Sequence, residues 1–367
     1  MSIGFSIDTL PNGGVHVRNS PIGSWGQEPW TLVEELRIGS VHASGPALFG
    51  EVAGIEVDGY SRIHALERHA KEIRVFDSTG SHIRTYARQG GGPGELKDPI
   101  GIVSGPDEEL WIVDPGNGRY AVFDSAGNFQ RSYPRRIGTY SVPWTGGFDG
   151  AGNLYEIVTL FVRQEGGFQT RHAVLRFDDQ LQIRDTLLLP VHNNETFTLE
   201  NSSSQISATV PFTPEIVYAV SPDGDPWVAV NDEFKVAKLK PDGDTLLLIE
   251  RKYEFIPVTG EEREEAIADL EWFTRQGGRV DAARIPDTKP AFSRFAVDLK
   301  GRLWVVPNAS QESGTLFDVF DAGGRYLGRL HSPAAFWPRP LFRGDYLYGQ
   351  DVDSLGVTYI VRARIVR

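Results

Sequence analysis

Pro106-Asp107, then Glu109-Leu110-Trp111-Ile112, then Val122-Phe123-Asp124-Ser125-Ala126-Gly127 make one cycle of turn, strand, loop, strand and turn. The strand centred on Trp111 recurs as Arg62-Ile63-His64-Ala65, Asn153-Leu154-Tyr155-Glu156, Asp225-Pro226-Trp227-Val228, Arg302-Leu303-Trp304-Val305 and Tyr346-Leu347-Tyr348-Gly349. From 64 to 111, 111 to 155 and 304 to 348 the spacing is roughly 45 residues, the period of a four-stranded propeller blade. Six copies predict an all-β chain, a six-bladed β-propeller of four-stranded blades.

The turns agree with that reading. Gly and Asp precede each aromatic strand, at Asp58-Gly59, Asp149-Gly150, Asp223-Gly224, Lys300-Gly301 and Gly344-Asp345. They supply positive φ and local side-chain hydrogen bonds. In most copies an Asp/Gly hairpin follows the next strand, at Asp77–Gly80, Asp124–Gly127, Pro241–Gly243 and Asp321–Gly323, and the third copy, Asp178-Asp179, has lost its glycine.

The sixth unit ends one strand short. Leu32-Val33-Glu34-Glu35-Leu36-Arg37-Ile38 has the pattern of an outer strand such as His82–Arg88. An N-terminal strand therefore completes the last blade and closes the ring, removing two open edges. Residues 1–29 are then an N-terminal extension and 30–367 a single propeller domain.

Two insertions interrupt the cycle, at about 191–210 and 258–285. The first is polar and predicts a long connecting loop. The second opens with Thr259-Gly260-Glu261-Glu262, a capping box, and sets Ala266, Ile267, Leu270, Phe273 and Thr274 on one helical face. One inserted helix between blades 4 and 5, about four turns long and ending near Gly277-Gly278, is expected there.

A formal net charge of −12 repels phosphate backbones, so nucleic acid is not an expected partner. The chain has no cysteine, which excludes disulfides, thiolate metal sites and a cysteine nucleophile. No stretch is apolar enough for a membrane span. Met1-Ser2-Ile3-Gly4-Phe5 lacks the basic and apolar segments of a secretory leader, which leaves a cytoplasmic protein or one whose leader has been removed. A monomer is expected.

The run Gly90-Gly91-Gly92-Pro93-Gly94-Glu95-Leu96, with Asp98-Pro99-Ile100-Gly101, Val113-Asp114-Pro115-Gly116-Asn117-Gly118-Arg119 and Val122–Gly127, resembles an NHL repeat and the related bacterial six-bladed propellers. The signature is full in blade 2 and fades elsewhere. The resemblance implies a propeller used as a binding scaffold, with an extracytoplasmic location, whether periplasmic or secreted. Fold membership alone does not choose a chemistry, since such propellers range from interaction modules to lyases and hydrolases.

The glycine run has no following Gly-Lys-Ser/Thr and reads as an inter-blade crossover rather than a phosphate cradle. Glu67, Asp114, Asn231, Asn308 and Asp351 end the aromatic strands and would face one side of the ring. Hard oxygens of this kind suit Ca²⁺, which takes roughly six to eight ligands. The composition is similar to that of metal-binding lactonases of the gluconolactonase class, and turn formation is the competing explanation. His64 and His69 flank Glu67, but His64 stands where the other blades carry Trp or Tyr, so a packed imidazole is the simpler reading than zinc.

Inner strands line the axis, and their first residues include Glu51, Trp144, Glu215, Arg294 and Arg339 or Arg343. With Trp272 on the inserted helix they define a channel mouth for a polar ligand with an apolar part; alternatively the charges pair and plug the channel. The expectation is a propeller that binds a small-molecule or protein ligand at the face carrying the helix, with no assignable catalysis and no cofactor. The alternative is a metal-dependent hydrolase or lactonase using Ca²⁺ there.

Overall fold

The structure is a computed structural model that describes the whole chain except residues 1–3, 26–28, 43, 139–141, 165–166, 201–204 and 310–314. Among the described residues, six antiparallel four-stranded units follow one another around an axis. Blade 1 is Val52–Val57, Ile63–Glu67, Glu72–Phe76 and His82–Tyr86; blade 2 is Gly101–Ser104, Leu110–Asp114, Arg119–Phe123 and Phe129–Pro134. Blade 3 is Gly147–Phe148, Leu154–Gln164, Gly167–Phe177 and Ile183–Leu188; blade 4 is Ile216–Val220, Pro226–Val230, Lys235–Leu239 and Thr245–Arg251. Blade 5 is Phe292–Val297, Leu303–Pro307, Leu316–Phe320 and Tyr326–His331. Blade 6 takes Trp337–Arg343, Tyr346–Val352 and Thr358–Val366, and Thr31–Ile38 pairs antiparallel with the last of these. The chain is thus an all-β six-bladed propeller closed by its N-terminal strand.

The six aromatic-centred segments are the second strands, and His64, Trp111, Tyr155, Trp227, Trp304 and Tyr348 are all buried. Their rings fill the space between blades. Trp111 meets Phe148 of blade 3 at 5.0 Å and Trp304 meets Phe342 of blade 6 at 5.4 Å. Each such ring stabilises by about 1.5–3 kcal/mol through burial. The edge-on and tilted contacts add about 0.5–1.5 kcal/mol per pair. Between blades the contacts are chiefly those of side chains, because among the described residues no ladder joins the outer strand of one blade to a strand of the next.

The extension is itself built into the ring. Phe5–Thr9 and Val15–Asn19 form a hairpin, and Val15–Asn19 runs parallel to Thr245–Arg251, so blade 4 becomes a six-stranded sheet. The chain then follows the outer strand of blade 5, where Ser24 and Trp25 donate to the carbonyls of Tyr326 and Leu327, before entering blade 6. A Cβ at Gly328 (φ +158°) would lie 2.4 Å from the Trp25 ring, so this close crossing needs glycine. One N-terminal segment therefore clasps blades 4, 5 and 6.

Both insertions differ from expectation. Residues 191–210 hold a hairpin, Thr196–Glu200 with Gln205–Thr209, rather than a plain loop. The helical insertion is two short helices, Gly260–Ala268 and Glu271–Arg275, rather than one, with the break at Asp269–Leu270. The capping box is present: Thr259 accepts from the Glu262 amide while Glu262 accepts from the Thr259 amide. Breaking the helix lets Leu270 and Phe273 turn into a cluster with Phe197, Ala208, Val210 and Ile285. The two insertions thus bury their apolar faces against each other, on the side of the ring where outer strands cross to the next inner strand.

Candidate functional site

Inner strands of all six blades wall an axial cavity of about 490 Å³. Small residues make room for it: eight glycines line the wall, and aromatic side chains approach some of them closely. A Cβ at Gly101 would lie 2.6 Å from Trp144, and one at Gly147 would lie 2.7 Å from the Tyr155 hydroxyl. Pro106, Gly150, Pro222 and Leu299 also line it. These belong to turns between first and second strands, so the cavity reaches the face opposite the inserted hairpin and helices.

Blade 6 shapes this site. Trp337 pairs with Gln350 and Leu341 with Tyr348, so Pro338, Arg339 and Pro340 face a single residue, Gly349, and bulge from the ladder. All three line the cavity. Arg339 crosses to blade 3, where its Nη2 lies 3.4 Å from the Gly146 carbonyl. Trp337 keeps 51 % of its surface exposed although it sits in the cavity wall.

Of the residues expected at the channel mouth, Trp144 and Arg339 line this cavity, while Glu51, Glu215, Arg294 and Trp272 do not. Trp144 is turned into the wall, its Nε1 donating to Glu156 at 2.7 Å. Glu156 is fully buried and also accepts from Tyr120 and Arg135. Glu51 is held by Arg68 at 3.0 Å and His69 at 3.0 Å. Glu215 has no cation in salt-bridge range among the described residues; it remains open to solvent, yet crowding by surrounding protein raises its carboxyl, with His192 opposing. Trp272 packs edge-on against Phe273 in the insertion cluster and is 45 % exposed.

Arg294 stands behind Trp337, its guanidinium 5.2 Å from the ring centre and its Nη2 donating to the Ala335 carbonyl at 2.8 Å. Its Nε is buried without a partner. Burial lowers its pKa to about 10. Other charges in the wall are committed: Glu56 accepts from Arg343 and from the Val57 and Ser104 amides. Asp149 accepts from the Ala151 and Asn153 amides.

The residues that end the second strands share one task. Glu67 accepts the amides of Gly50, Glu51 and His69; Asp114 accepts those of Lys97 and Asp98; Asn231 accepts that of Glu215; and Asp351 accepts that of Ala335. Asn308 donates to the Pro290 carbonyl. Each therefore ties the crossover entering its own blade to the end of the second strand. Their polar atoms are spent on these backbone partners and, for Asp114 and Asp351, on the side chains of Asn117 and Arg37, and among the described residues no group of three or more His, Asp or Glu side chains is gathered to hold a metal ion.

The NHL-like residues do the same work in blade 2. Asn117 donates to the Gly90 carbonyl and Arg119 to those of Gly92 and Glu95, so the glycine run is a stapled crossover. His64 is a packed imidazole, buried and 3.0 Å from Asp58. Sequence reasoning missed Trp337, although its signal was present: an aromatic residue followed by Pro-Arg-Pro in an inner strand, where proline cannot donate to the ladder.

No protein-family model and no curated protein sequence matches the chain. Solved structures do. A protein of Bacteroides fragilis proposed to be exported matches with a TM-score of 0.54 at 10 % identity, covering 96 % of this chain and 100 % of its own. Virginiamycin B lyase of Staphylococcus aureus gives 0.47 at 11 % identity, over 92 % of this chain and 100 % of its own. A gluconolactonase of Xanthomonas campestris gives 0.40 at 13 %, over 91 % and 97 %. At these identities the likeness is one of fold, and the class it supports is the six-bladed β-propeller.

Proposed function

We propose that this chain is a ligand-binding propeller that holds a small molecule in its axial cavity. One observation carries the reading: a large apolar ring, Trp337, is half exposed inside a concave site of about 490 Å³. Ligand sites typically occupy about 300–1,000 Å³ and combine apolar walls with few polar groups. An exposed indole in such a place offers a stacking surface that water satisfies poorly. We assign no reaction to it. An extracytoplasmic location belongs to the same proposal.

Native mass spectrometry after incubation with a small-molecule cell extract tests it. The wild type retains a bound mass, and Val297→Trp, which fills the cavity from blade 5, does not. Retention of the same mass by Val297→Trp, or no retained mass in either protein, overturns the reading.

A further inference from the structure

Two arginines, 294 and 339, flank Trp337, and neither has a carboxylate within 4.0 Å among the described residues. Other charges in the wall are answered from within the protein, since Glu56 pairs with Arg343 and Asp149 accepts backbone amides. Arg339 is exposed and solvated, so it is free to meet a ligand, whereas Arg294 is part-buried. Removing a cation from water costs several kcal/mol unless an anion or good acceptors compensate it. Among the described residues Arg339 meets only neutral groups across the channel, the Gly146 carbonyl at 3.4 Å and the Tyr155 hydroxyl, and Arg294 leaves its Nε buried and unbonded. Glu56 and Asp149, the carboxylates in the cavity wall, are engaged by Arg343 and by backbone amides and do not neutralise them.

Resting on the cavity reading above, we propose that the ligand is a small organic carboxylate with a flat apolar part. Its carboxylate pairs with the Arg339 guanidinium, and its apolar part stacks on Trp337. The planar fork of arginine matches a carboxylate in two parallel hydrogen bonds. Arg294, packed behind the indole, adds positive potential to the same wall. The bulge at Pro338–Pro340 is what brings the cation and the ring into the cavity together.

The test uses the intact chain with three probes of nearly one shape, followed by calorimetry and tryptophan fluorescence. The probes are indole-3-acetate, its neutral amide, and indolyl phosphate. Indole-3-acetate is expected to bind about 10- to 100-fold more tightly than the amide, the difference a charge-assisted hydrogen bond supplies. Arg339→Met is expected to erase that preference while Arg339→Lys restores part of it, and Trp337→Ala weakens both probes together. Phosphate outcompeting carboxylate overturns the carboxylate assignment. Equal binding of acid and amide overturns the anion assignment but leaves the cavity reading standing, since a neutral ligand still occupies the site.

If no probe binds saturably, the carboxylate proposal falls, and the mass-spectrometric experiment decides the cavity reading on its own. A strut role for Arg339 between blades 6 and 3 is distinguished by melting: it predicts a lower melting temperature for Arg339→Met and an unchanged preference for the acid. That pair of results also overturns the proposal.

Discussion

His64 Nε2 lies 3.0 Å from Asp58 Oδ2, inside blade 1 and out of reach of solvent. In blade 5 the indole Nε1 of Trp304 donates to Asp298 Oδ2 at 2.9 Å, from the same position on the second strand to the same position in the preceding turn. Arg62 and Arg302 pair with the two aspartates in the same way, both through Nε. The imidazole is therefore a substitute for an indole, chosen for an N–H at the right place rather than for metal or proton transfer.

That pairing makes stability depend on acid. Burial alone would raise the Asp58 carboxyl, but hydrogen bonds from His64, the Arg62 amide and the Arg62 side chain outweigh it and hold it at about 2, below its ordinary 3.8. A carboxyl depressed by folding stabilises above its unfolded value and loses that contribution as pH falls through the folded one. Urea midpoints of wild type and Asp58→Asn should therefore differ most above pH 4 and converge as pH approaches 2. The pH-dependent part is roughly 1 kcal/mol after allowing for solvent screening. A constant difference across that range would show that Asp58 does not titrate between those values.

Asp114 carries a larger load. It is fully buried and accepts the Lys97 and Asp98 amides and the Asn117 side chain. Asp114→Ala strands these donors, at about 1–3 kcal/mol each for the buried ones, so a loss of about 3 kcal/mol is expected in denaturant unfolding. Asp114→Asn should recover part of it. Calcium should shift the melting temperature of neither the wild type nor the variant; a calcium-dependent rise in the wild type would revive the metal-dependent hydrolase reading.

The contrast between these groups and the cavity explains what the sequence reveals. A period of roughly 45 residues with an aromatic at its centre is a local pattern repeated, so blade number and ring closure are readable from it. The polar strand ends were also visible, but whether an Asp at a strand end binds an ion or an amide depends on where the crossover from the previous blade runs. That path is set by the whole ring. The Phe5–Thr9 strand gives no signal for another reason: all five of its residues are exposed, so no buried face marks it as a strand. The break at Leu270 was masked because Leu270 and Phe273 satisfy helical spacing and the actual turn equally well. Trp337 was passed over because bulges are not periodic, and a register shift leaves no trace in spacing alone.

Asn19 should be the weak point of the N-terminal clasp. Its side chain donates to the carbonyls of Glu250 in blade 4 and Gly324 in blade 5 and accepts the Tyr326 amide at 2.8 Å, while 5 % exposed. It is thus a polar bolt between two blades that share no ladder. Asn19→Ala leaves two carbonyls and an amide unsatisfied, and a destabilisation of about 2–3 kcal/mol is expected. Hydrogen exchange should quicken at Val15–Asn19 and Ser24–Trp25 while the Thr31–Ile38 strand stays protected. Uniform quickening around the ring would instead mean that the clasp and the closing strand open as one unit.

The third-blade hairpin gives the sharpest test of turn chemistry, because it performs without glycine. Leu181 takes φ +57° where Gly80, Gly127 and Gly324 take +85°, +85° and +84° in the corresponding hairpins. A left-handed conformation costs a non-glycine residue roughly 1–2 kcal/mol. The turn nevertheless forms, since Asp178 Oδ1 accepts the Gln180 and Gln182 amides just as Asp124 Oδ1 accepts those of Ala126 and Asn128. Leu181 also packs partly against the cluster between blades 2 and 3. Replacing it with glycine relieves the backbone but forfeits that contact and adds freedom to the unfolded chain, worth about 0.5–1 kcal/mol. Leu181→Gly should therefore change stability by less than about 1 kcal/mol in either direction. Gly127→Ala should not be so mild, because its Cβ would lie 2.7 Å from the Tyr86 ring as well as in the left-handed region. A loss of about 2–4 kcal/mol in urea unfolding is expected. If both substitutions proved neutral, the aspartate alone would define these turns, and neither backbone geometry nor packing room against Tyr86 would require the recurring glycine.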